Sequence, residues 1–287
     1  MITNKNLARI AGLLYLVIIA TGMFAEVFVR QALTVTGDAM ATARNIQASK
    51  MLYRWGFVAD LCNFIFGLPC VLIIYILFKP VNKYLTILAM FFVIVQTAII
   101  AFNLLNQLTP LLFLGSEQYL SSFQPNQLAA LSKHALNLQE LGYAIGLVFF
   151  GFYCLIIGYL IVRSTLVPQI LGILYALAGV CYLVNSFTMF LTPKFANPLF
   201  PYILIPAFIG ELSFCLWLLI MGVKDNKPIR RKALSYIIWA QGSALCLLVT
   251  EPQNCVKLRL IETKYRRIEL VPGGLMKRHL SMAIIQF

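Results

Sequence analysis

The sequence predicts an all-α integral membrane bundle of six transmembrane helices, and three observations carry that prediction. Apolar runs of about 20 residues, the length that crosses a bilayer core, recur along the chain. Charged residues make up 11% of the 287 residues and hydrophobic ones 61%, whereas a soluble domain carries about 25% charged residues. The mean hydropathy of +0.85 says the same of the whole chain.

Taken in order, a short basic N-terminus with Lys5 and Arg9 precedes the first run, at about 10–29. That run is longer than the roughly 7–15 residues of a signal-peptide core, and more spans follow, so it reads as an uncleaved helix. Residues 30–54 are polar. Within them Gly37-Asp38 reads as the cap of a short amphipathic helix beginning at Ala39. The second span is about 55–78, closed by Lys79-Pro80, and the third about 84–107. A long loop is expected from 108 to 133, with Gly115-Ser116 and Gln124-Pro125-Asn126 as turn signals. The remaining spans are about 134–162, 170–191 and 202–223. Residues 1–224 thus form the membrane domain. The rest, 225–287, reads as a basic tail, interfacial or poorly ordered, with a weaker seventh candidate span at 233–250. Val256-Lys257-Leu258-Arg259-Leu260 alternates like a strand.

Lysine and arginine in the loops set the orientation. With N-terminus and C-terminus both inside, the inner segments hold Lys5, Arg9, Lys79, Lys83, Arg163 and the cluster from Lys224 to Lys232. The outer ones hold Arg30, Arg44, Lys50, Arg54, Lys133 and Lys194. The count of ten against six favours this N-in, C-in arrangement. The formal charge is +13, of which +8 falls at or after Lys224, and contact with anionic lipid accounts for it. A basic, aromatic-interleaved soluble domain is absent, so nucleic acid is not an expected partner.

Four of the six acidic residues before Lys224 lie in or at the ends of spans: Glu26, Asp60, Glu140 and Glu211. Ionisable groups there are expensive and turn toward the bundle interior, water or one another. Helical spacing gives each span a polar face: Asp60 with Asn63, Gln96 with Asn103 and Gln107 (Asn106 beside them), Asn137 with Glu140, and Asn185 with Thr188. In the N-in orientation most of these lie toward the outer side, with Gln96 and Glu211 nearer the midplane. They define a candidate polar cavity, open outward. The competing account is that the same residues are hydrogen-bonding glue between helices, each bond worth about 0.6 kcal/mol. Gly142, Gly146 and Gly151, with Gly172 and Ala176 on the next span, are candidate helix-packing positions.

Little in the sequence points to enzymatic chemistry. The two histidines, His134 and His279, and the seven cysteines form no metal-ligand spacing. The cysteines inside spans read as small apolar packing residues. Serine-nucleophile, Walker A and dinucleotide glycine signatures are absent. The leading expectation is a non-enzymatic protein of the inner (plasma) membrane, with no cofactor, catalytic residue or metal. Its partners would be membrane lipid, a second copy or another membrane protein, and its cavity would suit a lipid or small molecule. A small transporter or proton-coupled carrier stays open, as does an intramembrane lipid-modifying enzyme using Glu140 or Glu211.

Arg9-Ile10-Ala11-Gly12-Leu13-Leu14-Tyr15-Leu16, with Gly22 and Ala25-Glu26 following, resembles the opening of the DUF4386 family of bacterial membrane proteins. Ala59-Asp60-Leu61, Lys79-Pro80-Val81-Asn82, Val95-Gln96, Asn103-Leu104-Leu105, Gly142-Tyr143-x2-Gly146 and Gly210-Glu211-Leu212 match in the same order. The resemblance covers about residues 5–224 and implies a six-helix membrane domain of uncharacterised function, with no catalytic residues to carry over. The tail beyond about residue 232 does not resemble the family. Asn185 stands where many members are expected to hold an acidic residue.

Overall fold

The computed structural model describes residues 3–224. The tail, the candidate seventh span and the strand-like alternation lie outside the described residues. Seven α-helices account for nearly all of the described chain, and there is no strand among these residues. Helix α1 is Asn4–Met23 and continues without a break as a π-helical segment, Phe24–Gln31. Then come α2 (Ala39–Ala48), α3 (Lys50–Phe78), α4 (Lys83–Phe113), a short 3-10 turn at Gln118–Ser122, α5 (Pro125–Arg163), α6 (Gln169–Leu191) and α7 (Pro193–Ile220). Six of them, all but α2, contain stretches long and apolar enough to cross a membrane.

Local chemistry explains the ends. Thr3 accepts from the Asn6 amide at 3.2 Å to cap α1. Asp38 accepts from the Ala41 amide at 2.8 Å to cap α2, and Asn82 accepts from Tyr84 and Leu85 to cap α4. The helices outrun the apolar windows. The stretch expected to be a loop at 108–133 is largely helical, because Pro125 starts a helix rather than a turn: its missing N–H is not needed at N1. Gln124 and Gln127 close a reciprocal capping box around it. Helix propensity does not stop where hydrophobicity does, so α5 extends well beyond its membrane-length stretch.

The six long helices pack as a closed ring in chain order, α1 against α3, α3 against α4, and so on to α7, which returns to α1. Glycine sits at all but one of these joints. At α1–α7, a methyl group on Gly12 would strike the Leu218–Leu219 backbone. At α1–α3, one on Gly56 would fall 2.7 Å from a Val29 methyl. Gly142 and Gly146 let α4 in through Asn103 and Ile100. Gly151 and Gly158 of α5 face Gly179 and Gly172 of α6, backbone to backbone, and a methyl on Gly158 would sit 2.6 Å from the Gly172 carbonyl oxygen. Gly210 meets Leu174 at α6–α7. With little hydrophobic drive between helices in lipid, such close approach is what gains dispersion contact. The α3–α4 joint lacks a glycine and is the sparsest of the ring.

Helix α2 lies across one end of the ring, packed mainly on α5. Val29, Leu33, Ala43, Ile46, Tyr53, Leu114, Ala129 and Leu136 form one apolar cluster there, joining α2 to the ends of α1, α3, α4 and α5. Thr42 pins the connection by bonding both the amide and the carbonyl of Val35. At the opposite end Arg9 donates to the Ile220 carbonyl at 3.0 Å, tying the start of α1 to the last turn of α7. The large apolar side chains left exposed, such as Leu13, Ile65, Phe102 and Ile173, come from the long helices.

Candidate functional site

The polar groups fall into two clusters, one under α2 and one deeper in the ring. The first is built on the π-helical end of α1. An i→i+5 backbone widens the turn and is often found at functional positions. Here Gln31 donates to Glu26 at 3.2 Å across five residues, and Arg30 donates to the other Glu26 oxygen at 2.7 Å. Val29, fully buried, fills the notch at Gly56 and so docks this segment on α3.

That docking brings Arg30 to Asp60, which accepts from it at 2.5 Å. The guanidinium also lies over the Tyr143 ring of α5, 5.6 Å from its centroid, a cation–π contact that strengthens when desolvated. Arg30 and Asp60 side chains are 13% and 3% exposed, Glu26 33%. Beneath them Tyr53 donates to the Gln107 carbonyl at 2.6 Å, bridging α3 and α4. The Gln107 side chain lies beside Asp60, yet outside good hydrogen-bonding geometry. Its amide nitrogen and oxygen are both buried without a partner, an arrangement that native interiors mostly avoid.

The second cluster surrounds Glu211 of α7, which is buried in the ring. Tyr15 of α1 donates to one carboxylate oxygen at 3.1 Å and Tyr182 of α6 to the other at 2.5 Å. The Tyr15 and Tyr175 hydroxyls are 2.9 Å apart. Phe214 packs against the Tyr15 and Tyr175 rings, and Phe150 against Tyr182.

The remaining candidate residues are distributed around these clusters. Asn103 donates to the Gln139 carbonyl at 2.6 Å and accepts from Asn106 at 2.9 Å, forming a bridge from α4 to α5. Asn63 donates to the Ile18 carbonyl at 2.9 Å, bridging α3 to α1 just before the π segment. Gln96 is half-buried beside Gly146, and Asn185 is buried on α6. Asn137 and Glu140 lie on the exposed side of α5, where Lys133 and Glu26 are the charged neighbours of Glu140. The candidates therefore divide into Glu26 and Asp60 in the cluster under α2, Glu211 in the deeper one, and several bridging or peripheral positions.

Sequence reasoning missed Arg30, counted among the outer-loop residues, and the tyrosines at 15, 53, 143, 175 and 182. Signals existed for both. Glu26 and Arg30 are spaced as a helical ion pair, and Tyr175 and Tyr182 share a face two turns apart with Asn185 one turn on. Among the described residues no group of three or more His, Cys, Asp or Glu is placed to hold a metal. Cys70 and Cys215 are buried and donate to the α1 carbonyls of Ala11 and Gly12.

Comparisons with known proteins show a family and supply no activity. An uncharacterised protein of the archaeon Archaeoglobus fulgidus is 26% identical over 156 residues, covering 54% of this chain and 76% of that protein. No solved structure matches. The family model described as "Domain of unknown function (DUF4386)" matches residues 10–222, the ring of six helices with both polar clusters; the chain belongs to the DUF4386 family.

Proposed function

We propose that this is a multi-pass protein of the inner (plasma) membrane that binds a small polar molecule or a lipid headgroup at the Arg30 cluster, from the outer side. One observation carries the reading: the Gln107 carboxamide is 1% exposed and makes no hydrogen bond of good geometry, with the Asp60 carboxylate of the Arg30–Asp60 pair beside it. An unpaired buried amide costs roughly 1–3 kcal/mol. A ligand offering one donor and one acceptor would recover that cost. The same cluster holds the Arg30 guanidinium between two carboxylates, so a polar group reaching it meets fixed partners rather than reorganising side chains.

The N-in orientation supports access from outside. Arg30 belongs to the ring interior rather than to the outer loop, which removes one basic residue from the outer count and widens the inward bias. Helix α2 then forms a roof over the outer end, and Glu26, one-third exposed, is the cluster member nearest water.

Native mass spectrometry of the full-length protein, extracted with its own lipids, tests the reading. The wild type should carry a bound small molecule or lipid that Gln107→Leu releases. Identical adducts on a folded Gln107→Leu variant would contradict it.

A further inference from the structure

Among the described residues, Glu211 differs from Glu26 and Asp60 in having no cationic partner. Arg30 supplies both salt bridges among the described residues, to Glu26 and to Asp60. The groups facing Glu211 from α1 and α6 are phenols, Tyr15, Tyr175 and Tyr182. From α5 they are Tyr143, Tyr153 and Cys154, and on α7 itself Cys215. None of these is a base that could carry a positive charge. Hydroxyl dipoles stabilise a carboxylate, but they do not neutralise it, and a net charge among apolar helices costs several kcal/mol.

The geometry points to a further site: we propose that the Glu211 carboxylate, with the Tyr15 and Tyr182 hydroxyls, binds one monovalent cation, a proton or a sodium ion, taken from solution. One carboxylate balances one charge. A divalent metal would need more hard or anionic ligands than the described residues place there. Hydroxyls suit either cation because they both donate and accept. Around sodium, Tyr15 and Tyr182 turn their oxygens to the ion. With a proton bound, the carboxyl O–H donates to one phenol oxygen while the other phenol donates to the free carboxyl oxygen. The Tyr175 hydroxyl, 2.9 Å from that of Tyr15, extends the polar path away from the carboxylate. This site does not depend on whether a ligand occupies the Gln107 cluster, whose carboxylates share the Arg30 guanidinium.

Thermal unfolding of the full-length protein in lipid nanodiscs tests it in two arms. One varies sodium at fixed pH against choline, and the other lowers pH in choline alone. A cation bound only by the folded state raises the midpoint as its concentration rises. The wild type should gain stability in one arm, which names the cation, and Glu211→Gln should lack that gain because its amide is already neutral. Should Glu211→Gln fail to fold, Tyr182→Phe serves instead. Losing one hydroxyl contact should then demand roughly tenfold more sodium for the same shift, but less acid in the proton arm, because this phenol donates to the ionised carboxylate. A wild type flat in both arms, or a variant with the wild-type dependence, overturns the proposal.

Discussion

Arg30 of α1 donates to Asp60 of α3 at 2.5 Å, and the pair is buried where the ring of helices meets its roof. Arg30 lies on the π-helical segment that continues α1, docked on α3 where Gly56 admits Val29. A buried pair of this kind need not stabilise the fold over an apolar substitute. Its retention beside an unpartnered carboxamide is what suggests a binding role.

Breaking the pair from one side should be worse than removing it. Asp60→Leu leaves the guanidinium with Glu26 alone and should cost about 3–5 kcal/mol, whereas Arg30→Met with Asp60→Leu should recover most of that loss. Urea or thermal unfolding of the purified protein in detergent measures both, and equal losses in the single and double variants would contradict the account.

The glycine seam predicts opposite effects of one substitution. Gly158→Ala places a methyl 2.6 Å from the Gly172 carbonyl oxygen and 2.8 Å from Ala176, so α5 and α6 must separate. A loss of about 1–3 kcal/mol is expected, as for overpacking elsewhere. Gly67→Ala meets nothing within 4 Å in α3 and should gain up to about 1 kcal/mol from helix propensity alone. Unfolding midpoints that move in the same direction for both would argue against the seam.

These two predictions also mark what was legible in the sequence. Helix number and approximate spans follow from apolar length alone, because the hydrocarbon thickness fixes it. The helix ends did not follow: α5 starts at Pro125, before its apolar stretch, since capping rather than hydropathy decides an end. Depth and polarity were enough to single out Glu26, Asp60 and Glu211. Their partners were not, because Tyr15 and Tyr182 meet Glu211 only after the ring closes α7 onto α1 and α6. Arg30 was misplaced because residues after the first apolar run look like a loop, and nothing local announces a π turn.

Orientation yields a labelling prediction. In intact cells or right-side-out membrane vesicles, a membrane-impermeant thiol reagent should modify Arg44→Cys on exposed α2 and spare Lys83→Cys at the start of α4. The reverse pattern would place the N-terminus outside and invert the site's access.

Burial separates the polar candidates further. Glu140→Cys lies on the exposed side of α5, while Asn103→Cys and Asn185→Cys replace buried side chains. With the same reagent, Glu140→Cys should label faster than either of the others. Equal, fast labelling of all three would mean that the outer end opens far wider than the packed ring.

The most direct test of the binding site is an experimental structure of the full-length protein in nanodiscs made from its native membrane. Binding at the Arg30 cluster predicts non-protein density within hydrogen-bonding distance of the Gln107 carboxamide, next to Arg30 and Asp60. A Gln107 side chain bonded only to protein groups, with no such density, would contradict it.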